Sequence, residues 1–78
     1  MTLRLLTPSG APVEKEVSIV TLPGAAGPFQ VLRGHAALLS PLIQGKISFR
    51  GDSVDESVEV KGGFVRVENE IITVCAEL

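Results

Sequence analysis

An all-β fold, an antiparallel β-sandwich or flattened barrel of about eight short strands, is what these 78 residues predict. Three observations carry that expectation. The apolar residues are mostly Val, Leu and Ile, with three Phe and neither Trp nor Tyr, a β-branched-rich mix that suits a pleated, half-buried surface. Turn formers recur at short, regular spacing, and no stretch sustains a helical period of useful length. Residues 1–78 therefore read as a single domain, with no internal repeat and no low-complexity segment. At this size a single core supplies only ~3–5 kcal/mol of net stability, so a partner matters to such a chain.

Residues Thr2 to Thr7 read as a first strand, stopped by Pro8-Ser9-Gly10-Ala11-Pro12, which cannot extend a ladder. Val13 to Leu22 reads as one long second strand, with Val17, Ile19 and Thr21 on one face and Ser18, Val20 and Leu22 on the other. Both faces are partly apolar. One face meeting the core and the other a partner fits this, and so does an interior strand covered on both sides. The stretch Leu22 to Ser40 then places two loops around a short strand, Phe29 to Leu32. Its glycines and prolines set special backbone angles, while Phe29, Val31, Leu32, Leu38 and Leu39 are apolar anchors. A single helical turn at Ala36 to Leu39 is compatible with the sequence but too short to organise a fold.

Leu38 to Ile43 reads as another strand, with Pro41 expected on an edge or bend. Lys46 to Arg50 alternates cleanly, Ile47 and Phe49 inward, before a turn at Gly51-Asp52-Ser53. Ser57 to Lys61 repeats this with Val58 and Val60 inward, and Gly62-Gly63 reads as a turn into Phe64 to Glu68. Asn69-Glu70 makes a tight turn into Ile71 to Ala76, which carries Ile71, Thr73 and Cys75 on one side and Ile72, Val74 and Ala76 on the other.

Composition excludes several classes of function. The net charge is −2, and Arg4, Lys15, Arg33, Lys46, Arg50, Lys61 and Arg66 are scattered among acids, whereas a nucleic-acid surface needs a clustered basic face. One cysteine makes no intrachain disulfide, and no Cys/His spacing suits zinc, which points to a reducing compartment. No apolar run approaches the ~20 residues of a membrane span, and the first residues look like neither a signal nor a transit peptide. Any membrane association would be peripheral, through another protein.

Chemistry is equally sparse. His35 and Cys75, the only histidine and the only thiol, lie far apart in sequence, so a nucleophilic pair would depend on folding alone. Cys75 reads as a small buried hydrophobe in an apolar strand and His35 as a hydrogen-bonding loop residue. Gly24-Ala25-Ala26-Gly27 is followed by Pro28-Phe29 rather than Gly-Lys-Ser/Thr, so it is not a phosphate cradle. Glu14 with Glu16, and Glu68 with Glu70, read as solvated charges on an edge and a turn. No cofactor and no catalytic or metal residues are expected, and contact rather than catalysis is the expected role.

Leu22-Pro23-Gly24-Ala25-Ala26-Gly27, then Val31-Leu32, Gly34-His35-Ala36-Ala37-Leu38-Leu39-Ser40, Gly45 and Gly62-Gly63-Phe64 carry a specific resemblance. In order and spacing this pattern resembles the N-terminal domain of the epsilon subunit of F-type ATP synthase, over essentially the whole chain. The resemblance implies a β-sandwich in the central stalk that binds the gamma subunit and rests on the membrane c-ring. Such a rotor subunit does no chemistry, but helps couple proton flow to ATP synthesis on the catalytic subunits. By position, Gly34, His35, Leu38, Leu39 and Ser40 match the segment that lies against gamma. Ala25, Ala26, Gly27, Pro28 and Phe29 match the loop that approaches the c-ring. The implied location is the cytoplasmic face of a bacterial inner membrane, held there by the complex, and the isolated chain is compatible with a monomer.

Three departures from the family pattern stand out. Arg33 and Ala37 occupy positions where the family commonly has proline, which implies a less rigid loop. Ala26 and Pro28 replace acidic residues, which implies an apolar or backbone-mediated contact to the ring. The chain ends at Glu77-Leu78, where the family's C-terminal helical hairpin would begin. A naturally short member and an expressed fragment both fit, and coupling without hairpin inhibition is the expectation. The competing class is a free-standing β-sandwich module that binds a peptide or small ligand in a cleft between the same loops.

Overall fold

Alternation decides which side chains are inside. Along Gly45–Arg50, Ile47 and Phe49 are buried while Lys46 and Arg50 face solvent, because successive side chains on a strand point to opposite faces. The computed structural model of residues 1–78 contains nine such strands and no helix. They are β1 (Thr2–Leu6), β2 (Val13–Glu16), β3 (Ile19–Leu22), β4 (Phe29–Leu32), β5 (Leu38–Leu42), β6 (Gly45–Arg50), β7 (Asp55–Val60), β8 (Gly62–Glu68) and β9 (Ile71–Glu77). One sheet has the order β2-β1-β9-β8-β5 and the other β4-β3-β6-β7. Their inner faces enclose a single core of 16 residues, among them Leu3, Val20, Leu22, Val31, Ile47, Val65, Ile72 and Val74. The all-β sandwich predicted from the sequence is the fold observed.

Four local expectations need correction. The stretch Val13 to Leu22 is two strands in different sheets, β2 and β3, which is why nine strands replace eight. The chain crosses between sheets at Val17-Ser18, where the Val17 amide donates to the Met1 carbonyl and the Ser18 amide to the Arg50 carbonyl. This corner shifts the alternation by one residue, so Val17, Val20 and Leu22 are buried together. The ladder is not wholly antiparallel, because β1 pairs with β9 in parallel, Leu3 opposite Ile72 and Leu5 opposite Val74. No helical turn forms at Ala36 to Leu39, where the chain enters β5 directly.

Gly62 and Gly63 are not a turn; they begin β8, opposite Glu77 and Ala76. Their φ values of +153° and +150° are reached at no cost only by glycine. A side chain at Gly63 would also strike the Cys75 carbonyl. Pro41 lies on the edge strand β5, as its missing amide requires. Asn69 and Glu70 form the expected tight turn between β8 and β9, with φ of +53° and +64°, the two positive values of a type I′ hairpin.

Candidate functional site

The two sheets share one core but present different outer faces. Residues paired across a ladder lie on the same face. On the five-stranded sheet, Pro41 of β5 stands opposite Phe64 of β8, Phe64 opposite Cys75 of β9, and Cys75 opposite Leu6 of β1. An apolar row thus runs across four strands. Leu39 lies beside it, opposite Arg66. Leu39, on the edge strand, is 72% exposed and Phe64, on the strand beside it, 59% exposed, high values for large apolar side chains on a sheet face. Leu6, Thr7, Pro8, Phe64 and Cys75 line a shallow groove at the end of this row.

The outer face of the four-stranded sheet is polar at the corresponding place. Gln30, Thr21, Ser48 and Ser57 follow one another across β4, β3, β6 and β7. Lys46 faces Glu59, and Arg50 faces Asp55.

The residues singled out from sequence fall into two groups at opposite ends of β4. Ala25, Ala26, Gly27 and Pro28 are exposed at its start, and Phe29 is half-buried against the core. This loop is held by backbone hydrogen bonds, Gly27 amide to Gly24 carbonyl at 3.0 Å and Ala25 amide to Pro41 carbonyl at 3.1 Å. Gly24 lies under the Phe29 ring, so close that a Cβ there would come within 2.7 Å of it. Phe29 therefore braces the loop from inside.

Gly34 and His35 are exposed at the other end of β4, while Leu38, Leu39 and Ser40 begin the edge strand β5. Leu38 and Ser40 face inward, opposite Val67 and Val65, so that Leu39 alone of the three points away from the core. His35 Nδ1 donates to the Ala36 carbonyl at 2.7 Å, which fixes the proton on that nitrogen. Of the five proposed apolar anchors, Val31 is buried and Phe29 and Leu38 are half-buried, but Leu32 and Leu39 are exposed.

Cys75 is exposed, not buried. Both faces of β9 carry apolar side chains, so alternation alone does not choose its inner side; pairing with β8 and β1 does. Phe64, Cys75 and Leu6 are the surface residues that sequence reasoning missed. The signal was the alternation of Phe64, Arg66 and Glu68 against Val65 and Val67, which puts Phe64 on the outside.

The carboxylates taken as merely solvated each have a partner. Glu14 pairs with Arg4 at 3.0 Å and Glu68 with Arg66 at 2.6 Å. Glu16 accepts from the Met1 amine at 2.9 Å and from the Thr2 hydroxyl at 3.1 Å. Those two hydrogen bonds, the amine's first, hold the Glu16 carboxyl below its ordinary value of 4.5. Glu70 accepts from the Gly34 amide at 2.9 Å. No group of three or more His, Cys, Asp and Glu side chains lies close enough to hold a metal, and the grooves are shallow and open to solvent. An open, partly apolar surface of this kind can dock a macromolecule.

Residues 1–78 match the family described as the ATP synthase delta/epsilon chain β-sandwich domain. An ATP synthase epsilon chain of Citrifermentans bemidjiense is 36% identical over 77 residues, 99% of this chain and 56% of that protein. One from Campylobacter jejuni subsp. doylei is 38% identical over 78 residues, 99% of this chain and 60% of that protein. The chain thus spans less than two thirds of these relatives. Among solved structures, a chain of the Tetrahymena thermophila mitochondrial ATP synthase central stalk and c-ring superposes with a TM-score of 0.83 at 18% identity, covering 99% of this chain and 63% of that one. A chain of the Euglena gracilis mitochondrial ATP synthase assembly of OSCP, F1 and c-ring gives 0.80 at 20%, covering 95% and 48%. At these identities the superpositions establish the sandwich fold.

Proposed function

The chain belongs to the ATP synthase delta/epsilon family through its β-sandwich domain, and from that premise we propose that it is a non-catalytic rotor element of the central stalk in a proton-translocating F-type ATP synthase. In this reading it links the gamma subunit to the c-ring and helps couple ion flow to ATP synthesis. It works on the cytoplasmic face of a bacterial inner membrane, held there by the complex.

The observation that carries the proposal is the apolar row Pro41, Phe64, Cys75 and Leu6, flanked by Leu39, on a domain of this family. An exposed apolar patch with a polar rim is what a permanent protein partner covers. Arg66, Glu68 and Arg4 supply that rim. Gamma is assigned to this face and to the adjoining segment of Gly34, His35, Leu38, Leu39 and Ser40, with Leu39 and His35 making direct contact and Leu38 anchoring the strand. The c-ring is assigned to Ala25, Ala26, Gly27 and Pro28, braced by Phe29. The length of β4 sets the Ala25-to-Pro28 loop roughly 13 Å from Gly34 and His35, while the Ala25 amide donates to the Pro41 carbonyl of the apolar row, so one small domain presents both surfaces side by side.

Co-purification tests the proposal. A tagged chain expressed in its own cells is expected to recover gamma and ring subunits. Leu39→Asp is expected to reduce recovery of gamma by about tenfold or more without unfolding the domain, because a charge then enters a desolvated contact. Failure of the unaltered chain to recover gamma, or equal recovery by Leu39→Asp, contradicts it.

A further inference from the structure

The loop that carries His35 has almost nothing of its own to hold it. Residues 33–37 are all exposed. Within that stretch the His35 amide closes a turn onto the Leu32 carbonyl at 3.1 Å, with Gly34 at φ +82°. A positive φ at the third position is the type II pattern, and it puts Arg33 at the second position, where proline would preset the backbone. Arg33 does not preset it. Beyond that turn, the one hydrogen bond that ties residues 33–37 to a distant part of the chain is that of the Gly34 amide to the Glu70 carboxylate, at 2.9 Å.

Glu70 is itself in an unusual position. It occupies the second central place of the β8–β9 turn at φ +64°, a conformation that glycine adopts freely and a glutamate does not. Its carbonyl also accepts from the Thr2 amide at 2.9 Å, which fixes the turn against β1. A strained residue that persists because its surroundings hold it points to a role for its side chain. The side chain reaches across the end of the sandwich to the other turn, 36 positions away in sequence.

We infer that Glu70 is a positioning residue: its carboxylate latches the Arg33-Gly34 turn to the β8–β9 turn and so presets the His35-to-Ser40 segment for docking onto gamma. This rests on the gamma contact proposed above. The conformational strain of a glutamate at φ +64° is offset by a charge-assisted hydrogen bond to the loop, which is stronger than one between neutral groups. Glu70→Gly therefore separates two effects that ordinary structural residues combine. It relieves the strained turn and at the same time releases the loop.

The test compares the unaltered chain with Glu70→Gly and Glu70→Gln by amide hydrogen exchange, thermal unfolding and gamma affinity. In Glu70→Gly the Gly34 amide is expected to exchange about threefold to tenfold faster, and gamma to bind about threefold to tenfold more weakly. Its thermal midpoint is expected to be at or above that of the unaltered chain. Glu70→Gln keeps an acceptor oxygen but not the charge, and is expected to fall between the unaltered chain and Glu70→Gly in protection and affinity. Equal Gly34 exchange in the unaltered chain and Glu70→Gly overturns the latch, as does a Gln variant that behaves like the Gly variant. A lowered thermal midpoint in Glu70→Gly overturns the strain it is said to relieve. Faster exchange with unchanged gamma affinity overturns the positioning role. If exchange follows the expected pattern but the unaltered chain does not bind gamma, the latch stands and the proposed function falls.

Discussion

The two outer faces of this sandwich are built by the same alternation over the same core, yet one carries Pro41, Phe64, Cys75 and Leu6 in a row and the other Gln30, Thr21, Ser48 and Ser57. The inner faces do not differ in this way, since both are filled with Val, Leu and Ile. The contrast teaches that folding and docking are written on separate sets of positions. Residues pointing inward make the domain, and those pointing outward on the five-stranded sheet are the ones proposed above to meet gamma. An apolar row left exposed across four strands invites association, and a dedicated partner removes that hazard. The polar row, one amide and three hydroxyls, is satisfied by water and needs none.

The largest effect expected from breaking this contrast is at Phe64. Phe64→Ser removes the largest exposed side chain of the apolar row and should weaken gamma binding about 30-fold, corresponding to ~2 kcal/mol at a contact centre. Because Phe64 is outside the core, the urea midpoint of the free domain should shift by no more than ~0.5 kcal/mol in stability. The matching change on the other face, Ser48→Ala, should leave both measurements unchanged. A Phe64→Ser domain that unfolds instead would place that ring in the core.

A smaller effect is expected at the sheet edge, where β2 meets the start of the chain. The Glu16 carboxyl sits below its ordinary value because the Met1 amine and the Thr2 hydroxyl donate to it. With the folded value depressed, its contribution is fully present above about pH 4.5 and is lost as pH falls through the lower folded value. Between pH 7 and pH 3, urea denaturation should therefore show a steeper loss of stability for the unaltered chain than for Glu16→Gln. Parallel curves for the two would show that the carboxylate contributes nothing. Its full exposure keeps the effect slight.

Much of the fold was legible in the sequence because alternation is local. Ile47 and Phe49 inward, Asn69-Glu70 as a turn and Pro41 on an edge all follow from neighbouring residues. What was not legible depends on pairing between distant segments. The corner at Val17-Ser18 is fixed by the Met1 and Arg50 carbonyls, and the parallel pairing of β1 with β9 joins the two ends of the chain. The outward side of Cys75 follows only from that pairing, since β9 is apolar on both faces. The candidate contact residues Gly34, His35, Leu38, Leu39 and Ser40 came from the family pattern rather than from periodicity. Phe64 was within that pattern, but its role needed the register that puts it beside Pro41. Glu70 looked like a solvated turn charge because its partner, Gly34, belongs to a different loop.

Site-specific photocrosslinking reads directly which face meets gamma. A benzophenone amino acid placed at Leu39 should capture gamma within the assembled complex, whereas the same probe at Ser57, on the polar face, should not. Capture of gamma from Ser57 and none from Leu39 would contradict the assignment of the apolar face as the docking surface.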